Sequence, residues 1–165
     1  MKSPIEYATS LGTHYGNKLE RSVVYTQGVS LSGRLRLHEL LPESLDPSGE
    51  IVQIVAEYAN DPSNIFTKND GTANYAGVCW ADELVESTGD EKYLELLEAT
   101  ANRFGPTITE GPLDPDIRVE DFFFAATILG RAFQITGNSK HIDLLAGFLV
   151  SADTLQPNGV CWHCK

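Results

Sequence analysis

Basic residues are scarce in this chain. Against 23 Asp and Glu it sets only 12 Lys and Arg, for a net charge of −11. No run of Lys or Arg occurs anywhere. That argues against nucleic acid and against anionic membrane surfaces, which are bound by clustered positive charge. Long apolar runs are missing too. No stretch approaches the roughly 20 apolar residues that a membrane span requires. The opening MKSPIEYATSLGTHYG has no continuous apolar segment of the kind a secretory signal carries, so a cytoplasmic location is expected. Cysteines number three, at 79, 161 and 164, too few and too odd a count for a disulfide framework.

What is present is a core-forming composition and a repeat. Hydrophobic residues make up 42% of 165 positions, enough for a single ordered domain spanning 1–165. The segment STGDEKYLELLEATANRF (87–104) is matched by ITGNSKHIDLLAGFLVSA (135–152), with Thr88 and Thr136 separated by 48 positions. A fixed period of this size marks stacked supersecondary units. A further 48 residues upstream, a looser copy pairs two helical stretches around PESLDP. The periodicity predicts helices at about 20–41, 49–59, 73–87, 91–104, 119–135 and 139–155. Gly89 and Gly137 suit the left-handed residue that ends a helix, and Asp90 or Glu91, and Ser139, suit the start of the next.

The two members of each predicted pair differ. Tyr93, Leu96, Leu97, Thr100, Ala101 and Phe104 form one apolar stripe, with Lys92, Glu95, Glu98 and Arg103 off it. The copy sets His141, Leu144, Leu145, Phe148, Leu149 and Ala152 in the same register. Those are one-sided outer helices. Residues 119–135 are apolar almost all round (Phe122, Phe123, Phe124, Ala126, Ile128, Leu129, Phe133, Ile135), which predicts a buried inner helix. The fold class is therefore all-α: a ring or solenoid of helical hairpins at about 20–59, 73–104 and 119–155.

Links within the hairpins are short, whereas 60–72 and 105–118 are long. Long loops of this kind carry function or are unstructured. They gather at one rim, together with Asp70, Glu120, Asp121 and the tail PNGVCWHCK. Glu120 and Asp121 stand at the start of the apolar helix, where the helix dipole favours acids by about 0.3–1 kcal/mol. Apolar walls there would also raise a carboxyl pKa and suit it to general acid or base work. Neighbours on a helix point about 100° apart, so only one of the two can face the crevice. Asn69-Asp70-Gly71 is a turn signature, and its place before an inner helix makes Asp70 a second carboxyl candidate. Cys161-Trp162-His163-Cys164 has donors that zinc would accept, but Cys79 would have to supply the fourth. Trp162 and His163 read better as parts of a sugar-binding rim, one stacking and one donating hydrogen bonds. Tyr25, Tyr75 and Trp80 read as core, and Asp82 and Glu83 as a polar helix face unless Asp82 is buried and paired.

Four segments, TQGVSLSGRLRLHEL (26–40), TGDEKYLELL (88–97), VEDFFFAATILGRAFQITGN (119–138) and NGVCWHC (158–164), occur in an order that resembles the unsaturated uronyl and rhamnogalacturonyl hydrolases of glycoside hydrolase families 88 and 105. The resemblance implies an (α/α)6 toroid, of which about three of six hairpins would be present here, as the N-terminal half. It implies removal of a terminal Δ4,5-unsaturated uronic acid from pectin- or glycosaminoglycan-derived oligosaccharides, by hydration of a vinyl ether. It assigns Asp121 as the catalytic acid and His163 to substrate; Glu120 and Trp162, beside them, are candidate substrate contacts. A second Asp is implied at the start of the preceding inner helix. The 48-residue register sets Ala73 against Asp121, so either Asp70, one turn earlier, reaches the crevice from a shifted helix start or that carboxylate is absent; Asn74, one residue later, is a candidate substrate contact. Neither cofactor nor metal is implied. An oligosaccharide is the expected partner, with homodimerisation through open flanks of the half-ring as a further expectation. The competing reading is a non-catalytic helical-repeat module that dimerises or binds a protein.

Overall fold

The computed structural model describes residues 1–20, 24–61, 66, 70–105, 119–151 and 158–159. These form an all-α chain: α1 Pro4–Tyr15, α2 Val24–Leu40, α3 Ser48–Ala59, α4 Thr72–Ala76, α5 Ala81–Thr88, α6 Lys92–Ala101, α7 Val119–Thr136 and α8 Ser139–Ser151. No strand occurs among the described residues. None of their helices is long and apolar enough to cross a membrane.

The Thr-Gly-Asx turns are built alike, atom for atom. Thr88 donates its hydroxyl to the Leu84 carbonyl at 2.5 Å, and Thr136 to Ala132 at 2.6 Å. Each threonine oxygen also accepts a backbone N–H two residues on, from Asp90 and from Asn138. The Asx side chain then accepts from Lys92 N or Lys140 N, opening the next helix. Between them sit Gly89 and Gly137 at φ 70° and 68°, in the left-handed region where a Cβ is costly. Thus a three-residue code ends one helix and starts another without leaving these backbone groups unpaired.

Packing follows the periodicity. α5 lies on α6 and α7 on α8; α2 lies on α4 and α5, and α4 on α7. The core runs through Leu31, Ile51, Val55, Trp80, Leu84, Leu97 and Ile128, all fully buried. Each such side chain contributes about 1.5–3 kcal/mol on leaving water. The predicted α6 stripe is buried in full: Tyr93, Leu96, Leu97, Thr100, Ala101 and Phe104. Of the predicted α8 stripe, His141 and Phe148 are buried, Leu144 and Leu145 half-buried and Leu149 exposed, and Ala152 lies outside the described residues.

Four differences from the sequence expectation stand out. First, α1 has no counterpart among the predicted helices. Ser3 and Glu6 close a reciprocal capping box, and Pro4 takes the first helical position, where its missing N–H is no loss. No α1 residue is buried, so it carries no core stripe to detect. Second, the helix expected at 73–87 is broken into α4 and α5 by a turn over Gly77–Trp80. There α2 comes so close that a Cβ on Gly28 would overlap the Gly77 carbonyl oxygen and stand 2.8 Å from that residue's carbonyl carbon and Cα. Third, α3 leans on α5 and α6 rather than folding back on α2 as a tight hairpin. Arg34 of α2, mostly buried, pairs with the exposed Glu50 of α3. Fourth, α7 is not buried on every side. Phe123 and Phe133 are 51% and 38% exposed and Ala126, also exposed, lies between them, so one edge of the helix is only partly covered by the described residues.

Candidate functional site

The first turn of α7 meets the first turn of α4. Asp121 is 3% exposed, and the buried Thr72 hydroxyl donates a short hydrogen bond to its Oδ1. Asp121, expected at an open rim, is instead buried: α4 covers the acid face of the turn. Glu120, one step round the helix, is half-buried, so the two acids do face different surroundings.

Of the candidates for a second polar group, Asn74 is engaged locally. Its Oδ1 accepts the Gly71 N–H at 3.1 Å and folds back over the start of α4. Asp70 is half-buried just ahead of Gly71. Thr72, whose hydroxyl donates to Asp121, is one position from the Ala73 that the repeat register selects. A search for acids near that register passes over the hydroxyl. Trp162, His163, Cys161 and Cys164 lie outside the described residues. Among the described residues no group of three His, Cys, Asp or Glu side chains is arranged to hold a metal ion.

Behind Asp121, Phe124 is buried and packs on Tyr25 of α2, ring centroids 4.9 Å apart. Phe123 turns the other way, since two helical steps carry it about 200° from Asp121. It closes a groove of about 480 Å³ with Tyr15, Tyr25, Thr26, Val29 and Ser30. Tyr25 and Val29 are 36% and 42% exposed there, so this part of α2 is groove wall and not core. Tyr75 and Trp80 are core as expected, at 4% and 0%.

A second polar cluster ties three helices together further along. Arg131 of α7 bonds Asp82 and Glu83 of α5 and Ser32 of α2. Arg36 of α2 adds a 2.6 Å bond to Glu83. Asp82 is thus the buried, paired residue that its place on an inner helix allowed for. Burial works against the Arg131 charge, but Glu83 and then Asp82 more than offset it and hold the guanidinium firmly protonated. Burial pushes the adjacent Cys79 thiol up to about 12, which removes it as a nucleophile near neutral pH. His141, at the start of α8, is 1% exposed with neither ring nitrogen hydrogen-bonded, and burial lowers its pKa.

Set beside known proteins, the chain matches no family model and no curated protein.

Proposed function

We propose that this chain is the N-terminal part of an unsaturated uronyl hydrolase of the (α/α)6 toroid type, with α4–α5 and α6, and α7 and α8, as two hairpins and α2 with α3 as a looser third unit. The inner helices would be α2, α4–α5 and α7, and the outer ones α3, α6 and α8. The observation that carries the reading is the contact between Asp121 and Thr72, which brings the starts of two inner helices together at a carboxyl. In the reaction, Asp121 gives a proton to C4 of the unsaturated ring and assists addition of water at C5. The hemiketal so formed collapses and releases the neighbouring sugar. Thr72, donating to Oδ1, sets the orientation of the carboxyl. Asp70, Glu120, Trp162 and His163 are the proposed substrate contacts on the same rim, and Asn74 holds the α4 start in place. No cofactor enters this chemistry.

The test is an assay of the natural protein on unsaturated disaccharides derived from pectin and from glycosaminoglycans. The expected result is loss of the double-bond absorbance on at least one class. Absence of turnover on both, by folded protein, removes the reading.

The exposed edge of α7 favours a second reading, a non-catalytic repeat module that pairs with a second copy of itself. Inner helices here pack side by side, α2 on α4 and α4 on α7. The edge bearing Phe123 and Phe133 would take one more helix of that kind in this reading, and exposed apolar patches mark interfaces. Sedimentation at micromolar concentration should then show a dimer that Phe123→Asp with Phe133→Asp dissociates. A monomer at all concentrations rules this pairing out.

A further inference from the structure

α5 opens on two adjacent acids that solvent could hold at no cost, yet both are buried. Asp82 is 8% exposed and Glu83 9%. Arg131 reaches across from α7 and sets a single nitrogen, Nη1, on both of them, 2.7 Å from Asp82 Oδ1 and 2.5 Å from Glu83 Oε1. Glu83 Oε1 also accepts from Ser32 Oγ at 2.9 Å and from Arg36 Nε at 2.6 Å. Every donor to Glu83 therefore converges on one oxygen. The other, Oε2, is buried without a hydrogen-bond partner. A dry, unpartnered oxygen on an ionised carboxylate costs more than the ~1–3 kcal/mol of a neutral group. The two carboxyls meet at that one Arg131 nitrogen. A proton held by the pair would supply a donor and remove one buried charge, as in other carboxyl pairs.

We propose that Asp82 and Glu83 form a proton-binding site, one proton shared between two buried carboxyls and clamped by Arg131, whose loss loosens the junction of α2, α5 and α7. The surrounding charges agree with this. Burial, and then the Glu83 charge, raise Asp82 to about 6, against the pull of Arg131. Arg36, more than half exposed, neutralises Glu83 only through solvent-screened contact. Cys79 faces the cluster as a neutral thiol. His38, Glu39 and Asp46 line the groove beside Glu83 together with Glu86, and bring no further cation to Asp82. Among the described residues α3 and α6, which also pack on α5, contribute no ion pair to it.

The sign follows from linkage. The folded-state pKa of Asp82 lies above its ordinary value of 3.8, so the bound proton favours the folded chain. That stabilisation is complete below pH ~4 and is lost as pH rises through about 6. The experiment is a carboxyl carbon NMR titration of the whole chain labelled at Asp and Glu, run beside urea unfolding. One aspartate should titrate near pH 6 and be missing from Asp82→Asn, and Glu83→Gln should move it to lower pH. The folding constant of the wild type relative to Asp82→Asn should fall by about tenfold per pH unit between roughly pH 4 and 6. Titration of every aspartate below pH 5, or a pH 6 step that survives Asp82→Asn, overturns the proposal. If Asp82→Asn does not fold, the wild-type and Glu83→Gln titrations decide alone: a midpoint that Glu83→Gln leaves in place overturns it equally.

Discussion

Asp121→Asn should lower turnover of an unsaturated disaccharide by about 10²–10⁴-fold, the range for loss of a positioned general acid, while leaving the fold intact. The amide keeps an oxygen where Thr72 donates, so the contact between α4 and α7 survives. Asp121→Ala lacks that acceptor and leaves the buried Thr72 hydroxyl unpartnered, at a cost of about 1–3 kcal/mol. Comparing the two separates chemistry from support. Circular dichroism and thermal unfolding check the fold, and initial rates check the chemistry. Thr72→Val, which keeps the shape and deletes the donor, should reduce kcat less than Asp121→Asn, because it misorients the acid without removing it. Activity of Asp121→Asn within twofold of wild type would take the carboxyl out of the reaction. Unfolding of Asp121→Asn would assign it to holding α4 against α7.

The parts of this fold that are legible in the sequence are those where one residue type serves one local purpose. Thr-Gly-Asx predicts the turns at Gly89 and Gly137 because φ near 70° and a side-chain acceptor are both required there. The α6 stripe is legible because α6 buries a single face, and 3.6-residue spacing reports a single face well. α7 misleads for a related reason. Its phenylalanines are spread all round, and periodicity cannot tell an apolar residue that has a neighbour from one that lacks it. Phe124 is covered by Tyr25, whereas Phe123 is half-exposed. The break between α4 and α5 depends on the close approach of Gly28 to Gly77, a contact across 49 residues that local pattern does not carry. Of the candidate site, the position of Asp121 at a helix start is legible; the hydrogen bond from Thr72 is not. The repeat register points toward an acid, and so carries no signal for the Thr72 hydroxyl that donates to Asp121. Arg131 escapes notice because a lone basic residue in an apolar helix looks like a surface position until both its acidic partners are found buried on another helix.

Arg131→Ala should be the most damaging single change to stability, at about 3–5 kcal/mol, because removing one member of a buried ion cluster strands the rest. Here two carboxylates lose their shared cation at once, and Ser32 loses a partner on α2. A loss of that size is a large part of the ~5–15 kcal/mol that holds a typical domain together. Urea unfolding from pH 5 to pH 8 measures it. The damage should grow with pH, since an uncompensated pair costs most when both members are ionised, and it should shrink in acid, where protonation replaces the missing charge. Methylene packing and screened surface pairing would each give a different result. If the arginine acts through its methylene packing, the loss is independent of pH and persists when Asp82→Asn and Glu83→Gln are already present. If the cluster is a set of screened surface pairs, the loss stays below about 1 kcal/mol throughout. Charge burial predicts that the cost of Arg131→Ala collapses in the Asp82→Asn, Glu83→Gln background, a coupling that a double-mutant cycle reads directly. The cluster joins α2, α5 and α7, members of the three inner units proposed to frame Asp121. A variant that keeps its helices but loosens them at Arg131 should therefore weaken turnover at the far end of α7 in proportion to the stability it loses.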